Sequence, residues 1–443
     1  MIMFTRKDLM KLIIPLIIEQ MLIVSVGLAD SLMVSRVGEA AVSGVSLVDS
    51  INVLLIGLFG ALATGGAVVS AQLLGHRDEK DACGAGEQLV SAVLILSVLL
   101  MAVVLLFGRS IISLLYGEVE ADVMSNARTY LFYSALAFPF IALYNSSAAL
   151  FRSMGNSKVS MFISFLMNII HITMNAVLIF GMGLGVEGAA LSMLASRTFA
   201  AVTLLLLLRN KKLPIHIRIH HCFRLDMTMI RRILRIGIPN GLENSVFQIG
   251  KIIVQGITAG LGTSAITANA VSGTIANVGI LPGAAMGLAL ITVVGRCVGA
   301  GDFAGVKSYT VKLMKLTYKV LAAWNILLLC MIPLILKVYK LSDETAHMAA
   351  QLMVYHSILA SLIWPLSFTL PNALRAANDV KFTMWSSMLS MWVWRIAFSY
   401  LLAITLHLGV LGIWVAMTID WLFRSICFVV RFHKEKYRNM DMV

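Results

Sequence analysis

Charge is what this sequence has least of. Only 13% of its 443 residues are Asp, Glu, Lys or Arg, while 59% are hydrophobic and the mean hydropathy is +0.89. Soluble domains carry about 25% charged residues, so a water-facing surface cannot be built from this composition. Cysteine is also sparse. Cys83, Cys222, Cys297, Cys330 and Cys427 are scattered without C-x-x-C spacing, which supports neither a disulfide framework nor a metal centre. No H-E-x-x-H, G-x-S-x-G or D-x-x-x-D motif occurs, so the reading is not an enzyme, and no cofactor is expected.

What the chain does have is apolar runs of 18 or more residues from end to end, each long enough to cross a hydrocarbon core of about 30 Å. Twelve spans are expected, near residues 9–35, 41–74, 84–107, 127–152, 158–182, 187–208, 232–260, 265–298, 309–336, 346–375, 381–405 and 409–431. The first is expected to be retained, because no A-x-A cleavage site follows it. The net charge of +13 falls in every second connection, at Arg6–Lys11, Arg77–Lys80, Arg152–Lys158, Arg209–Arg232, Lys307–Lys315, Arg375–Lys381 and Arg431–Arg438. That alternation is the positive-inside pattern and predicts an inner-membrane protein with both termini cytoplasmic. The surplus also attracts anionic lipid. No basic-aromatic patch points to nucleic acid.

The chain repeats itself. IPLIIEQ at Ile14–Gln20 returns as IPNGLEN at Ile238–Asn244, and subtracting Pro15 from Pro239 gives an offset of 224. At that offset Glu19 falls on Glu243, Gly38 on Gly262, Gly75 on Gly299 and Asp78 on Asp302. Further on, Arg152 resembles Arg375, Lys158 resembles Lys381, and LGVEGAAL at Leu184–Leu191 resembles LGVLGIWV at Leu408–Val415. Six spans return a chain to its starting side. The fold class is therefore an all-α polytopic membrane protein of two pseudo-symmetric six-helix bundles (6+6). The expected lobes are 1–208 and 230–443, joined by a basic cytoplasmic linker at 209–229. Parallel repeats of this kind are a transporter architecture, with the substrate path between the halves and alternating access as its motion.

Acids within spans need a reason, because each costs about 2.5–3.5 kcal/mol at the bilayer centre. Glu19 and Asp30 lie 11 residues apart on one face of the first span. Glu19 has a twin in Glu243. It is read either as a cavity residue or as a partner for an internal arginine or for the backbone gap at Pro15. Asp30 has none, since the repeat places Val254 there, and that asymmetry suggests a task in one half only. In the fifth span Asn168, His171 and Asn175 form one polar stripe. Asn175 reaches the depth of Asp30, so the cluster suits proton exchange or a small cation, or else simply glues helices. Asp49 stays ambiguous. Arg395 pairs with Glu243 or Asp420, or lines the path. Apart from Arg395, the deep charges read as acidic. Pro139, Pro282, Pro365 and Pro371 lie inside spans, where kinks are expected.

With the P-x-x-x-E opening, LADSLMVSRVGEAAVSG, AQLLGHRD, VGRCVGAGD, GMGLGVEGAALS and LGVLGIWVAMTIDWLFRS, the chain resembles the multidrug and toxic compound extrusion (MATE) transporters over nearly its whole length. These belong to the multidrug/oligosaccharidyl-lipid/polysaccharide exporter superfamily. The resemblance implies efflux of amphipathic organic cations in exchange for H⁺ or Na⁺, with Asp30 matching the coupling aspartate of the first helix. Relatives carry Asn and then Asp in helix 5, where this chain has His171 and Asn175. Glu243 matches an acid of helix 7, while helix 10 offers only Ser367, Thr369 and Asn372. With so few acids, protons are the expected coupling ion and no metal site is expected. Asp30, His171, Asn175 and Asn168 form the expected coupling set. Glu19, Glu243 and Arg395 are the expected cavity residues. A monomer is expected. The alternative is a lipid-linked oligosaccharide flippase, whose cavity should be basic.

Overall fold

The computed structural model describes residues 3–117, 120–218, 222, 224–339 and 341–440, and these form helices with no strand among them. The helices are α1 (Arg6–Ser35), α2 (Glu39–Gly75), α3 (Glu79–Tyr116), α4 (Ala121–Ser153), α5 (Ser157–Asn175), α6 (Gly185–Leu208), α7 (Met227–Ala259), α8 (Thr263–Gly279), α9 (Leu281–Gly299), α10 (Phe303–Tyr339), α11 (Asp343–Leu362), α12 (Leu370–Ala376), α13 (Val380–Ser390) and α14 (Gly409–His433). π-Helical turns follow at Ala176–Gly181, Pro365–Thr369, Met391–Ala397 and Leu401–Thr405. Large apolar side chains face outward, with Leu32 69%, Leu106 77% and Leu114 86% exposed, as lipid contact requires.

Among the described residues ten helices are long and apolar enough to span a membrane, or eleven if the bent pair Asp343–Leu362 and Pro365–Ala376 counts as one. Three of the twelve expected spans differ for identifiable reasons. The span expected at 265–298 is divided at Ile280, because Pro282 stands at the start of the second piece and cannot continue the helix before it. The span expected at 232–260 is a 33-residue helix, but it carries Arg231, Arg232, Arg235, Glu243 and Lys251. Pro365 and Pro371 accompany a bend of 59° in the expected 346–375 span. Pro139 lies within one continuous helix.

The repeat has a backbone meaning. Left-handed residues recur at matched places: Arg77 (φ 66°) and Gly301 (φ 67°), Gly155 (φ 82°) and Asn378 (φ 66°), Gly185 (φ 55°) and Gly409 (φ 58°). Just after the first of these pairs, Asp78 accepts from Asp81 N at 3.0 Å and Asp302 accepts from Gly305 N at 2.7 Å. The matched aspartates thus cap the N-termini of α3 and α10. Gly188 and its repeat Gly412 each press on the backbone of the preceding element. A Cβ would lie 3.0 Å from Leu178 C in the first case and 2.8 Å from Ala403 N in the second.

The chain divides into two compact units, Thr5–Gly241 and Leu242–Val443 with Met1–Phe4. The boundary falls inside α7, two residues after Pro239. Residues assigned to the linker at 209–229 pack on the amino-terminal unit. Arg218 N and Nε donate to Glu87 Oε1, Ser91 Oγ donates to Cys222 O, and Gln88 joins Arg224 and Asp226. The described residues of the linker that make these bonds therefore lie along α3. Burial there pushes the Cys222 thiol up to about 11.

Gly412→Ala should destabilise the protein by about 1–3 kcal/mol through overpacking. Gly84→Ala, where a Cβ meets nothing within 4 Å, should be neutral or stabilising. Thermal unfolding in detergent compares the two, and equal midpoints would refute the close-packing account.

Candidate functional site

The duplicated glutamates have duplicated partners. Glu19 is 2% exposed. Its Oε1 lies 3.3 Å from Arg152 Nη1, and its Oε2 accepts from Ser160 Oγ at 2.9 Å. Glu243 accepts from Arg375 Nη2 at 2.7 and 2.8 Å, with Arg424 Nη2 at 3.5 Å. Arg152 and Arg375 are themselves repeat partners, so each unit contains the same buried ion pair. The carbonyls near Pro15 are attended by Ser157, whose Oγ donates to Leu12 O at 2.6 Å. Pairing, then, is what the structure shows for Glu19 and Glu243; a cavity role is not visible in their contacts.

Asp30 stands apart from these pairs. Its Oδ1 accepts from Asn175 Nδ2 at 2.7 Å and meets His171 Nε2 at 3.1 Å. On its far side His171 Nδ1 is 3.2 Å from Ser196 Oγ, and Ser196 Oγ also lies 2.9 Å from Met193 O. With that hydroxyl donating to Met193 O, its oxygen is an acceptor, so Nδ1 carries a hydrogen. Nε2 and Oδ1 then stand at a distance at which the two groups can share a proton. This assignment follows from the partners each group faces. Asn168, the third member of the expected stripe, instead donates from Nδ2 to Leu22 O at 2.8 Å, tying α5 to α1.

Two further charges face this cluster. Asp49 of α2 neighbours Asn52, Tyr130 and Asp30. Arg197, near the middle of α6, lies beside Tyr144, Tyr130 and Asp30 and donates from Nη1 to Met167 Sδ at 3.3 Å. It joins no ion pair within 4.0 Å among the described residues. Sequence reasoning overlooked Arg197, although a lone arginine in LSMLASRTFAAV was the signal.

In the carboxyl-terminal unit Arg395 takes Asp420, not Glu243. The approach is 3.6 Å from Nη1 to Oδ2, too long for a hydrogen bond. Asp420 Oδ1 accepts instead from Ser390 Oγ. Arg424 lies over Phe368, 4.3 Å from the ring centroid, and Lys251 Nζ lies 5.1 Å from that of Phe247. The expectation of mostly acidic deep charges is therefore corrected. Arg375, Arg395 and Arg424 are buried and Arg152 and Arg197 half-buried, whereas Lys251 is exposed.

The MatE family model matches this chain twice, at residues 15–177 and 239–401, with both ends displaced by 224. The chain belongs to the MatE family. Among curated relatives, this MatE chain is 28% identical to "Uncharacterized transporter YisQ" of Bacillus subtilis, covering 93% of this chain and 90% of that protein. It is 25% identical to "Probable multidrug resistance protein NorM" of Thermotoga maritima, covering 98% and 93%. Its fold matches a crystal structure of MATE in complex with MaL6 at a TM-score of 0.90 and 20% identity, covering 98% and 97%. The first of these is a transporter by name, and with its apolar helices the chain is a multi-pass membrane protein of a transporter family.

Glu19→Gln leaves Arg152 facing a neutral amide, and breaking a buried pair costs about 3–5 kcal/mol. Its melting temperature in detergent should fall well below that of wild type. Wild-type stability combined with abolished transport would instead make Glu19 a working cavity residue.

Proposed function

We infer that this MatE chain is a secondary active exporter that takes up protons in exchange for amphipathic organic cations, by alternating access. The observation that carries the reading is the Asp30–His171–Asn175 cluster, an unduplicated carboxylate held at the outer half of α1 in a chain otherwise built twice. The names of relatives, which include multidrug resistance proteins, support efflux. The doubled family match supports twelve spans in a 6+6 arrangement; an inner-membrane location with cytoplasmic termini and a monomeric working unit belong to the same reading.

The chemistry of the cluster suits a proton. Both groups that touch Oδ1 do so through nitrogen, whereas hard cations such as Na⁺ favour a shell of oxygens. A carboxylate and an imidazole sharing one proton form a compact unit. Removing that proton sets the Asp30 charge against the Nε2 lone pair, so the two groups must part. Two arrangements with different proton affinity are what coupling needs, provided the cargo binds them unequally. In the proton-free arrangement Asp30 and Asp49 together offer negative charge to a cation, with Arg197 setting its net strength.

Uptake of a fluorescent lipophilic cation into inverted vesicles tests this reading. An acid-inside pH gradient should drive uptake in wild type, and Asp30→Asn should reduce it at least tenfold with normal protein levels. Uptake driven only by a Na⁺ gradient would replace the proton with Na⁺. Undiminished proton-driven uptake in Asp30→Asn would remove the aspartate from the mechanism.

A further inference from the structure

At the offset of 224 the amino-terminal cluster has a counterpart of opposite polarity. Asp30 falls on Val254, Gly27 on Lys251, His171 on Arg395 and Ser196 on Asp420. Where one unit holds an acid beside a titratable ring, the other holds two cations and only one acid. The repeat offset is 223 at Arg152/Arg375 and Lys158/Lys381 and 224 at Leu184/Leu408, so one residue enters the second unit between Lys381 and Leu408. The π-helix Leu401–Thr405 has its match in Ala176–Gly181, but Met391–Ala397 has none, because α5 is regular there. A π-turn accommodates one extra residue, and such turns gather at functional sites. Arg395 lies in it.

The charges around this turn do not balance. Lys251, Arg375, Arg395 and Arg424 supply four positive charges, and Glu243 and Asp420 supply two negative ones. Arg375 and Arg424 share Glu243. Arg395 is 8% exposed, and neither its Nε nor its Nη1 has a hydrogen-bond partner. Lys251 is exposed, lies within reach of the Arg395 charge, and forms no ion pair among the described residues. Beside it Phe247 and Phe368 present rings 5.9 Å apart, half-buried, with Trp364 stacked on Phe368. Unfilled cationic donors next to an aromatic wall match a ligand with an acidic head and an apolar body.

We propose that Lys251 and Arg395 form an anion-binding site in the carboxyl-terminal unit, taking the carboxylate, sulfonate or phosphate head of an amphipathic anion. The site goes beyond the cation-export reading and does not depend on it. Lys251 supplies an exposed ammonium, and Arg395 supplies buried N–H donors that lack partners. The head group enters as a third partner to the long Arg395–Asp420 approach, and the apolar body lies along Phe247 and Phe368. An acidic phospholipid and a transported anion share this chemistry.

The test uses the full chain in nanodiscs of phosphatidylcholine and a dansyl-labelled dodecanoate as probe, with its methyl ester as the uncharged control. Wild type should bind the carboxylate at least tenfold more tightly than the ester. Lys251→Met should erase that preference, and Lys251→Arg should retain it. Equal binding of carboxylate and ester, or an unchanged preference in Lys251→Met, would overturn the proposal. Should Lys251→Met fold poorly, Arg395→Met with Asp420→Asn removes the second cation without stranding a charge and should give the same loss. Displacement of the probe by phosphatidylglycerol in wild type marks the lipid head group as occupant, and gradient-driven uptake of the carboxylate into inverted vesicles marks a cargo. The cation-uptake assay on Asp30→Asn is independent of all these arms, so failure of one reading leaves the other standing.

Discussion

A charge inside an apolar slab must be answered by another charge, and much of this molecule is arranged around that requirement. Glu19 joins α1 to α4 and α5 through Arg152 and Ser160. Glu243 joins α7 to α12 and α14 through Arg375 and Arg424. Hydrophobic attraction does little to select one helix pairing over another in lipid, where every outer surface is equally apolar. Buried pairs discriminate, because a misplaced helix would strand two charges at a cost of several kcal/mol. The same pair in each unit explains how two halves of low similarity keep one fold.

Against that shared frame, the departures from symmetry are the informative places. The amino-terminal unit converts one position to Asp30 and answers it with His171 and Asn175, groups able to exchange a proton. The carboxyl-terminal unit puts Val254 there, moves the charge one turn away as Lys251, and inserts a π-turn that carries Arg395. One ancestral scaffold thus holds two clusters of opposite sign. The Glu19–Arg152 pair is repeated as Glu243–Arg375, whereas the Asp30 and Arg395 clusters are not repeated.

Much of this was legible in the sequence. The spans, the repeat and the isolation of Asp30 follow from apolar run length, from a single offset and from one unmatched acid, which are all local or arithmetic properties. The grouping of Asp30 with His171 and Asn175 was also within reach, because helical periodicity places residues three, four and seven apart on one face. Asn168 shares that face, yet sits a turn too deep and bonds Leu22 O. The breaks at Ile280 and in the Asp343–Ala376 segment were only half visible: prolines signal that a helix fails without saying whether it bends or ends.

Composition and periodicity by themselves determined that this chain lives in lipid, is helical, is built twice and keeps one unduplicated acid in its first helix. Only the tertiary structure decided which arginine answers which glutamate, that Arg395 takes Asp420, and that Arg424 is buried and Arg197 half-buried. The reason is physical. Period and hydropathy report the environment averaged over a helix, whereas an ion pair depends on where two helices far apart in sequence bring single atoms within 4 Å of each other.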